Sequence, residues 1–350
     1  MKQVLKQVCG IDVSQKELVV AFGQMYDDLS TKLLWHKTFV NNQKGFESLI
    51  QHVKKLTDDT TGTGYVMEAT GVYHEKLAHY LYLNDQLVSI ISPNKISNYA
   101  RTLDVKTVTD KTASEAITLF GLERKLDSWN PPDPLFKQMR QLVRERDQIV
   151  QSRTVAKNQL HAEMAEVAPL KNTVSRIKKQ IVLFDKQIAE VVSEINALIS
   201  SKETIKADLE LLASIPGVGL LTAATVLAET NGFDLIRNKK QLTSYAGLDV
   251  KEKQSGTSVK GKPRISQKGN KFLRKSLHMP ALAAIRHDDR FKAIFGRLVS
   301  RHGIKMKAAV AVQRKLLELM YAVYKKQEKY DKDYLQKQNA EVQEVLNEKN

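Results

Sequence analysis

The first 128 residues alternate between short apolar runs and segments whose apolar positions have helical spacing. Apolar runs bounded by polar turns predict strands at residues 8–23 (two strands joined by a turn), Leu34–Val40, Gly64–Met67 and Leu87–Ile91. Apolar residues three and four apart predict helices at Asn42–Leu56, Tyr73–Leu83 and Asp110–Leu126. Three strands followed by alternating helices and strands predict an α/β domain over residues 1–128.

A proline-rich linker is predicted at residues 129–135, because three prolines in four positions cannot continue a helix. The helical segment predicted after it, residues 136–210, contains a heptad pattern. Its apolar positions are Ile177, Ile181, Phe184, Ile188, Val191, Ile195 and Leu198. Alternating steps of four and three over three heptads are typical of a coiled coil. The pattern favours a helical hairpin or a seam between two chains over a single amphipathic helix packed on its own domain.

The region predicted at residues 211–327 is mainly helical and begins with a glycine-containing turn between two apolar runs. Residues 215–219 (IPGVG) have the pattern of a helix-hairpin-helix motif. The N–H groups that open the following helix then point outward, which makes Gly217 and Gly219 candidate contacts for a phosphate. A tight turn between core helices is the alternative. Residues 328–350 form a polar tail that we expect to fray.

Charge is concentrated in this last part of the chain. There are 55 Lys and Arg against 39 Asp and Glu, a net charge of +16. Residues 251–326 hold 20 basic and 4 acidic residues, so this stretch accounts for the whole net charge. A basic block of this density favours nucleic acid as a partner over a merely solubilising surface. Acids and glycines interrupt any sustained basic amphipathic helix, which argues against a membrane surface.

Composition narrows the class of protein further. Hydrophobic residues make up 42% of the 350 residues, enough for packed cores. The single cysteine, Cys9, excludes an intramolecular disulfide framework and a cysteine-based zinc cluster within one chain. No apolar run reaches the roughly 18 residues of a membrane span, and the N-terminus lacks the pattern of a secretory signal. We therefore expect a cytoplasmic protein without a membrane partner.

Three acidic residues occupy positions of the α/β domain where a rigid backbone faces a crevice. Asp12 lies on the first predicted strand, Glu68 ends another strand, and Asp110 begins a helix. Three converging carboxylates suit Mg²⁺ or Mn²⁺, which prefer oxygen ligands, and two such ions assist phosphoryl transfer. Taken singly, each acid is more often a helix cap or a surface charge, and Asp110 could cap its own helix.

Motifs along nearly the whole chain resemble those of a family of bacterial insertion-sequence transposases. In the first half they are GIDVSQKEL around Asp12, MEATGVY around Glu68, SPNKISNYA at 92–100 and TD at 109–110. In the second half they are SIPGVG at 214–219, TSYAGLDV at 243–250, QSGTSVKGKPRISQKGN at 254–270 and FLRKSLHMPAL at 272–282. These separate motifs occur in the family's order, which makes the resemblance specific.

The resemblance implies an RNase H-like (RuvC-like) N-terminal domain with a DEDD set of acids, a coiled-coil segment and a C-terminal transposase domain. Asp12 matches the first acid of that set, Glu68 the second and Asp110 the third. In this family the set binds divalent metal. The resemblance therefore implies a DNA recombinase, guided in some members by a structured bridge RNA that the element encodes.

The fourth acid of the set departs from the family's pattern. It usually lies three residues after the third, where this chain has Ala113. Glu115 is close in sequence, but a residue five positions from Asp110 lies about 140° around the helix from it. Asp104 could instead reach into the site, or the site could work with three acids. The sequence leaves the fourth ligand open.

The family's C-terminal domain carries a catalytic serine in a Ser-Gly-x-Ser-Val stretch, which matches Ser255 here. A serine beside a glycine in a loop is accessible to a phosphodiester, although its hydroxyl needs a proton acceptor or a metal to become a good nucleophile. A polar loop with Ser255 as an ordinary turn residue is the alternative. Nearby cations would neutralise phosphate charge. With the two glycines, the candidate nucleic-acid contacts are Gly217, Gly219, Lys260, Lys262, Arg264, Lys268, Lys271 and Arg274.

The expected function is that of a metal-dependent DNA transposase or site-specific recombinase. Asp12, Glu68 and Asp110 bind Mg²⁺ or Mn²⁺, and Ser255 forms a transient covalent link to DNA. The expected partners are double-stranded donor and target DNA and a bridge RNA. The chain is also expected to form a dimer or tetramer. Its expected location is the bacterial cytoplasm, at the nucleoid when it is bound to DNA. One rival function is that of a RuvC-like nuclease that uses water without a covalent intermediate. A second is that of a non-catalytic nucleic-acid-binding protein whose metal site has decayed. Ala113, which stands in place of the fourth acid, is the observation in favour of this alternative.

Overall fold

The computed structural model of the chain divides into two compact units, Met1–Pro131 and Pro132–Asn350. The division falls within residues 129–135, where the linker is predicted. The described residues are 2–57, 61–69, 71–103, 107, 109–252, 254–255, 259–261 and 264–334, with the backbone alone described at 254, 255, 259 and 260.

The first unit is built on a mixed five-stranded sheet. Its strands are β1 (Val4–Val13), β2 (Glu17–Tyr26), β3 (Thr31–Val40), β4 (Thr63–Glu68) and β5 (Leu87–Ile91). Their order is β3-β2-β1-β4-β5; β2 is antiparallel to both β1 and β3, whereas β4 is parallel to β1 and β5 is parallel to β4. This is the order of an RNase H-like sheet, and the predicted α/β class of the N-terminal domain is confirmed.

Helices pack on both faces of this sheet. They are α1 (Gln43–Lys54), α2 (Glu75–Leu83), α3 (Pro93–Ala100) and α4 (Asp110–Glu123). On β1, Cys9 and Ile11 pack in one core cluster, with residues of α1 and α2, whereas Val8 packs in a second cluster with Ile117 of α4. Successive strand side chains point to opposite faces. Helix α4 therefore covers the face of β1 opposite to α1 and α2.

The second unit begins with a helical hairpin. Helices α5 (Pro134–Met164) and α6 (Lys171–Ser200) pack against each other in antiparallel fashion, and Arg153 Nη1 lies 2.6 Å from Asp185 Oδ1 in an ion pair between them. The heptad positions of α6 are its buried or half-buried stripe. The predicted hairpin is therefore present within a single chain.

The rest of the second unit is mainly helical, as predicted. Its helices are α7 (Glu203–Ala213), α8 (Leu220–Thr230), α9 (Lys239–Tyr245), α10 (Lys271–Ser276), α11 (His278–His287), α12 (Asp289–His302) and α13 (Lys305–Lys326). Helix α8 is buried on nearly every side over its last eight residues and contributes to one large core with the neighbouring helices. Within the described ranges, no helix has the combined length and apolarity needed to cross a bilayer.

Four two-residue strands interrupt these helices and were not predicted. They are β6 (Val250–Lys251), β7 (Gln254–Ser255), β8 (Val259–Lys260) and β9 (Arg264–Ile265). Strand β6 pairs with β9 and β7 with β8, both antiparallel. Such short strands in a polar, glycine-containing stretch carry no alternating apolar pattern, so the sequence offers no signal for them.

The expectation that the polar tail frays is wrong for residues 328–334. The Tyr330 hydroxyl donates to the Asp288 carboxylate (2.7 Å), and the Tyr330 N–H donates to Ser214 Oγ (2.9 Å). Asp288 is buried, so its carboxylate needs hydrogen-bond donors, and the phenol supplies one. The rest of the tail, residues 335–350, lies outside the described residues.

Candidate active site

Asp12 and Glu68 lie side by side at one edge of the sheet. Strands β1 and β4 are parallel, and Ile11 pairs with Met67, so the next residues along the two strands are neighbours. Both acidic side chains are half-buried. The carboxyl ends of parallel neighbours meet at the same edge of a sheet, so the register alone brings these two predicted site residues together.

Helix α4 runs antiparallel to β1 across the face that carries Asp12. Near the C-terminal end of the helix, the Lys6 ammonium donates to the carbonyl oxygen of Arg124 (2.6 Å). Further along β1, a Cβ placed on Gly10 would lie 2.3 Å from Thr118 Oγ1. Residues two apart on a strand share a face, so the N-terminal end of α4 lies toward Asp12.

The close approach of α4 to the sheet depends on positions without a side chain. A Cβ on Gly121 would lie 2.7 Å from Val8 Cγ1. The Thr118 hydroxyl donates to the carbonyl oxygen of Ala21 on β2 (3.0 Å). The helix backbone therefore lies directly against the strands, and this contact fixes where its first residue, Asp110, is held.

Asp110 is the first residue of α4, and Thr109 is the N-cap. Thr109 Oγ1 accepts a hydrogen bond from the Thr112 N–H (3.2 Å), while Thr112 Oγ1 accepts one from the Thr109 N–H (2.8 Å). This reciprocal pair is a capping box. The alternative that Asp110 caps its own helix is therefore wrong, and the side chain is exposed instead.

The three carboxylates influence one another electrostatically. The pKa of Asp12 is raised to about 6, first because its carboxyl group is partly buried and then because Asp110 and Glu68 carry like charge. A hydrogen bond from the Val13 N–H opposes this shift. The structure thus places Glu68 and Asp110 within electrostatic range of Asp12.

The donor set fits a hard divalent cation. It consists of carboxylate oxygens, the ligands that Mg²⁺ and Mn²⁺ prefer, and the like charges of Asp110 and Glu68, which add to the effect of burial on the pKa of Asp12, are charges that a cation would offset. Among the described residues, no three His, Cys, Asp or Glu side chains form a ready-made metal-binding group. The three carboxylates therefore do not form a closed coordination shell in the described side-chain positions.

The described residues do not supply a fourth acid in the expected position. Ala113 lies one turn after Asp110 on α4 and offers only a methyl group. Glu115 forms an ion pair with Lys111 at 4.0 Å on the helix surface. Asp104 lies outside the described residues. The described side chains therefore leave the fourth ligand open, since Asp104 is one of its candidates.

Ser255 lies in the second unit, at the end of a small hairpin. Its backbone pairs with Val259, and the intervening residues 256–258 lie outside the described part of the chain. Strands β6 and β9 pair at the base of the same segment. Ser255 is therefore the last residue of β7, and its backbone pairs with the first residue of β8.

The candidate cations around this hairpin divide into two groups. Arg264, Lys268 and Lys271 are exposed. Arg274 is half-buried, and its Nη1 donates to the Ala246 carbonyl oxygen (2.8 Å), so it holds the end of α9. The side chain of Lys260 is not described, and Lys262 lies outside the described residues.

The two glycines of the predicted helix-hairpin-helix turn have different environments. Gly217 has φ +88°, and a Cβ there would lie 2.5 Å from the Pro280 carbonyl oxygen, so this glycine allows the turn to pack on α11. Gly219 is the N-cap of α8 and is exposed, and a Cβ there would meet no atom within 4 Å. Gly219 alone therefore faces open space for a phosphate.

A buried ion pair in the second unit was missed by the sequence analysis. Glu229, only 1% exposed, accepts two hydrogen bonds from Arg144, each 2.7 Å long. It also accepts one from Asn270 Nδ2 (2.6 Å), and Asn270 Oδ1 caps α10 by accepting from Phe272 N–H (2.9 Å). The signal in the sequence was an acid within the apolar run LLTAATVLAET.

This network anchors the segment that follows the serine hairpin. The Tyr245 hydroxyl donates to the Glu229 carbonyl oxygen (2.9 Å), and the Asn270 N–H donates to the Tyr245 carbonyl oxygen (2.7 Å). The Arg144 guanidinium also lies over the Phe272 ring, 4.6 Å from its centroid. The exposed Lys268 and Lys271, on either side of Asn270, therefore lie on a backbone segment that this network holds in place.

Two transposase family models match the chain. One, for DEDD transposases of the IS110 type, matches residues 9–169, which include Asp12, Glu68 and Asp110. The other, described as the transposase IS116/IS110/IS902 family, matches residues 209–295, which include Ser255.

Several known proteins are similar in sequence. The pilin gene-inverting protein of Moraxella lacunata is 29% identical over 93% of this chain and 98% of its own length. The pilin gene-inverting protein of Moraxella bovis is 28% identical over the same shares. The transposase for insertion sequence element IS1111A of Coxiella burnetii is 29% identical over 49% of this chain and 47% of its own length.

Solved structures resemble a smaller part of the chain. RuvC of Thermus thermophilus, in complex with a Holliday junction substrate, has a TM-score of 0.27 and 10% identity, and the match covers 35% of this chain and 99% of RuvC. The fowlpox virus Holliday junction resolvase has a TM-score of 0.26 and 12% identity, covering 33% of this chain and 97% of the resolvase.

Proposed function

We propose that this chain, which belongs to the IS110 family of transposases, cleaves and rejoins double-stranded DNA through a metal site in its first unit and a serine in its second. The observation that carries the proposal is the environment of Asp12. Its half-buried carboxyl group adjoins Glu68 at the sheet edge, and the charges of Glu68 and Asp110 contribute to raising its pKa to about 6. Negative charge concentrated at a rigid edge is what a divalent ion requires.

Asp12, Glu68 and Asp110 would hold the metal, Mg²⁺ or Mn²⁺. When bound, a divalent ion supplies activation of an attacking oxygen and stabilisation of a leaving oxygen in phosphoryl transfer. The chain's own contribution is positioning, because the register of β1 with β4 and the docking of α4 hold the three carboxylates near one another. Three acids suffice in this proposal, since Ala113 offers no ligand.

Ser255 is the proposed nucleophile. Its Oγ forms a bond to phosphorus while the bond from phosphorus to the 3′ oxygen breaks, and the proton that Oγ loses is matched by the one that the departing 3′ oxygen gains. The resulting 5′-phosphoserine ester conserves the bond energy, so a 3′ hydroxyl can rejoin the DNA without ATP. Exposed Arg264, Lys268 and Lys271 would neutralise the phosphate charge that builds in the transition state.

Recombination joins two DNA segments, so donor and target duplexes are the proposed partners. The similarity to pilin gene-inverting proteins over 93% of the chain favours inversion as one outcome of the reaction. The metal site and the serine lie in different units, so the proposal includes a homo-oligomer in which the serine of one chain serves the metal site of another. Guidance by a bridge RNA rests on the family resemblance, and Gly219 at the open N-terminus of α8 is a candidate contact for a nucleic-acid phosphate.

The decisive experiment is to trap the covalent intermediate. Purified protein is incubated with end-labelled duplex from the ends of its element and Mg²⁺, denatured, and assayed for labelled protein. We expect a protein–DNA adduct that Ser255→Ala removes and that Ser258→Ala, a control in the same loop, retains at least in part. We expect EDTA and the Asp12→Asn substitution, which keeps the side-chain shape, to abolish it in folded protein.

The rival mechanisms give different results in this experiment. A nuclease that uses water would cleave DNA in the Ser255→Ala variant and never show an adduct. A non-catalytic binding protein would bind the duplex and leave it uncut in every condition. Full activity in EDTA would exclude the metal site. Activity regained by mixing the Ser255→Ala and Asp12→Asn proteins would show that serine and metal site come from different chains.

A further inference from the structure

The turn between α12 and α13 presents a fully exposed corner. Residues 297–307, named here the α12–α13 corner, comprise the last turns of α12, Gly303 and the start of α13. Gly303 has φ +69°, and a Cβ there would meet no atom within 4 Å. Every residue from 300 through 307 is exposed. The turn therefore projects outward from the core of the second unit.

The corner carries dense positive charge without local acids. No Asp or Glu occurs from residue 290 to residue 317. Arg297 and Arg301 lie four residues apart on α12 and so share one side of the helix, while Lys305 and Lys307 follow across the turn. Within the described part of the chain, none of these four cations is in an ion pair.

Two of these cations, Arg301 and Lys307, lie within electrostatic range of the same side chain, His302. The pKa of His302 is lowered, first by partial desolvation and then by the charges of Lys307 and Arg301. By contrast, Arg314 and Lys315 further along α13 both pair with Glu318, at 2.9 and 2.8 Å. Uncompensated like charges repel each other, so the corner is electrostatically complementary to a polyanion.

Two large apolar side chains stand among these cations. Ile304 is 56% exposed and Met306 is 60% exposed. The apolar side of α12 is directed at the core through Phe291, which is buried, and α13 buries Ala308 and Ala309 immediately after the corner. Ile304 and Met306 are therefore not part of the core packing, and a solvated surface gains nothing from them.

We propose that the α12–α13 corner is a second contact surface for duplex DNA, in which arginines and lysines bind phosphates and Ile304 and Met306 press between base steps as an apolar wedge. This inference rests on the proposed function and adds a surface that lies outside the segment around Ser255. Proteins that bend DNA commonly insert apolar wedges flanked by cations in this way.

Duplex DNA fits these features better than other polyanions. Arg297 and Arg301 are about 6 Å apart along the helix axis, and the phosphates of a DNA strand recur about every 3.4 Å along the duplex axis. Guanidinium groups bind phosphate through paired hydrogen bonds. Two apolar side chains are too few to anchor a protein in a bilayer, but one or two suffice to kink a duplex.

The first test measures binding of a fluorescein-labelled, mixed-sequence DNA duplex in EDTA over a range of salt concentrations. We compare the full chain with the double variant Arg297→Gln/Arg301→Gln. Loss of two phosphate contacts should lower the slope of log affinity against log salt by about 1.8 and weaken binding about 30-fold near 0.15 M salt. The matched control is Lys178→Gln/Lys179→Gln, which removes the same charge from exposed positions on α6 and should change both quantities much less.

The second test addresses the wedge with duplexes that contain 2-aminopurine, whose fluorescence rises when the base unstacks. We expect the wild-type chain to raise the fluorescence and Ile304→Ala/Met306→Ala to abolish the rise without changing the salt slope. The control Leu83→Ala/Leu87→Ala shortens two exposed apolar side chains of the first unit, which are 77% and 58% exposed. It should behave as wild type.

The outcomes separate this inference from the proposed function. Wild-type protein that fails to bind duplex at all would contradict the proposed function itself. If wild type binds duplex and the arginine double variant has the same salt slope and affinity, the inference about the α12–α13 corner is wrong and the proposed function is unaffected. Weakened binding to a folded RNA hairpin with unchanged binding to duplex DNA would also overturn it, because the surface would then serve RNA. A lower salt slope in the arginine double variant, together with loss of the fluorescence rise in Ile304→Ala/Met306→Ala, would support the inference.

Discussion

The two units hold their functional segments by different physical means. In the first unit, α4 is positioned by the absence of side chains, since Gly10 and Gly121 let its backbone lie directly on the sheet. In the second, the segment after the serine hairpin is positioned by a buried charge, because Glu229 binds both Arg144 and Asn270. The first arrangement fails when atoms are added, and the second fails when a charge is left unpaired. Close packing and a buried polar network can therefore each hold a functional segment in place.

Both arrangements can be broken separately and observed separately in one chain. The two tryptophans, Trp35 and Trp129, lie in the first unit, so tryptophan fluorescence reports the unfolding of that unit. The second unit contributes most of the helices, so far-UV circular dichroism is dominated by it. Urea unfolding followed by both signals therefore assigns each change in free energy of unfolding to a unit.

The largest expected effect is that of Glu229→Ala on the second unit. The substitution leaves the Arg144 guanidinium and the Asn270 amide without their buried acceptor. Removing one partner of a buried pair costs about 3–5 kcal/mol, and since the Arg144 side chain is 40% exposed we expect the lower end, about 3 kcal/mol. The transition in circular dichroism should move to lower urea, with the fluorescence transition unchanged.

The control for this prediction is Glu203→Ala. Glu203 also pairs with a cation, Lys206 at 3.5 Å, but its side chain is 84% exposed. Surface pairs contribute less than about 1 kcal/mol, so this variant should unfold at nearly the wild-type urea concentration. Equal destabilisation by both variants would refute the claim that burial makes the Glu229 network important.

The next effect is that of Gly10→Ala on the first unit. The added Cβ would lie 2.3 Å from Thr118 Oγ1 and 2.4 Å from the Thr118 backbone nitrogen, and a backbone atom cannot rotate away. We expect α4 to shift and the fluorescence-detected free energy of unfolding to fall by about 2 kcal/mol. Adduct formation should fall as well, because Asp110 moves with the helix.

Gly64→Ala on β4 is the matched control. A Cβ there would have its nearest neighbour, the Gln7 carbonyl oxygen, at 3.8 Å, an ordinary contact. Replacing a glycine by alanine at a compatible position stabilises a protein by about 0.4–1 kcal/mol. If Gly64→Ala moved the fluorescence transition to lower urea by as much as Gly10→Ala does, the clash with α4 would not be the cause of the lost stability.

A smaller effect is expected from Thr109→Ala, which removes the N-cap of α4. Loss of a capping side chain costs about 1 kcal/mol, and the first turn, which carries Asp110, should fray. We therefore expect a modest loss of stability of the first unit together with weaker binding of Mn²⁺ in titration calorimetry. Thr109→Ser keeps the hydroxyl and should restore both properties, whereas an equal loss in both variants would show that the cap is not responsible.

The smallest effect on stability is expected from Ala113→Asp. Position 113 is half-buried on α4, one turn from Asp110, so an added carboxylate increases the repulsion among the acids of the site. We expect a destabilisation below about 1 kcal/mol and a cleavage rate no higher than that of wild type. A large gain in cleavage would instead show that the three-acid site had decayed.

Local patterns in the sequence were sufficient for much of the first unit. Apolar runs bounded by polar turns predict the strands that carry Asp12 and Glu68, and the end of the second run marks the position of Glu68. Sequence reasoning left open whether Asp110, which follows Thr109, caps its own helix. That question required the hydrogen bonds of Thr112, because both residues have capping side chains and only geometry distinguishes them.

The second unit was harder to predict in detail. The heptad period favoured either a helical hairpin or a seam between two chains, and only the structure shows the hairpin of α5 and α6. The buried pair of Glu229 and Arg144 joins residues 85 positions apart. An acid in an apolar run can be a helix end or a buried partner, and the run itself does not reveal which. Arg274 shows the same limit, since its sequence neighbours suggest DNA and its hydrogen bond to Ala246 serves the fold.

The sequence by itself determined the order of the strands in the first unit, the positions of Asp12, Glu68 and Asp110 on its strands and helix, and the concentration of charge in residues 251–326, because period, turn chemistry and charge are properties of neighbouring residues. Tertiary structure alone decided that Thr118 bonds to Ala21, 97 positions away, and which cations remain exposed. Contacts of that kind depend on how helices dock. Docking is governed by the shape of whole surfaces, such as the gap that Gly10 leaves for α4, which no short stretch of sequence encodes.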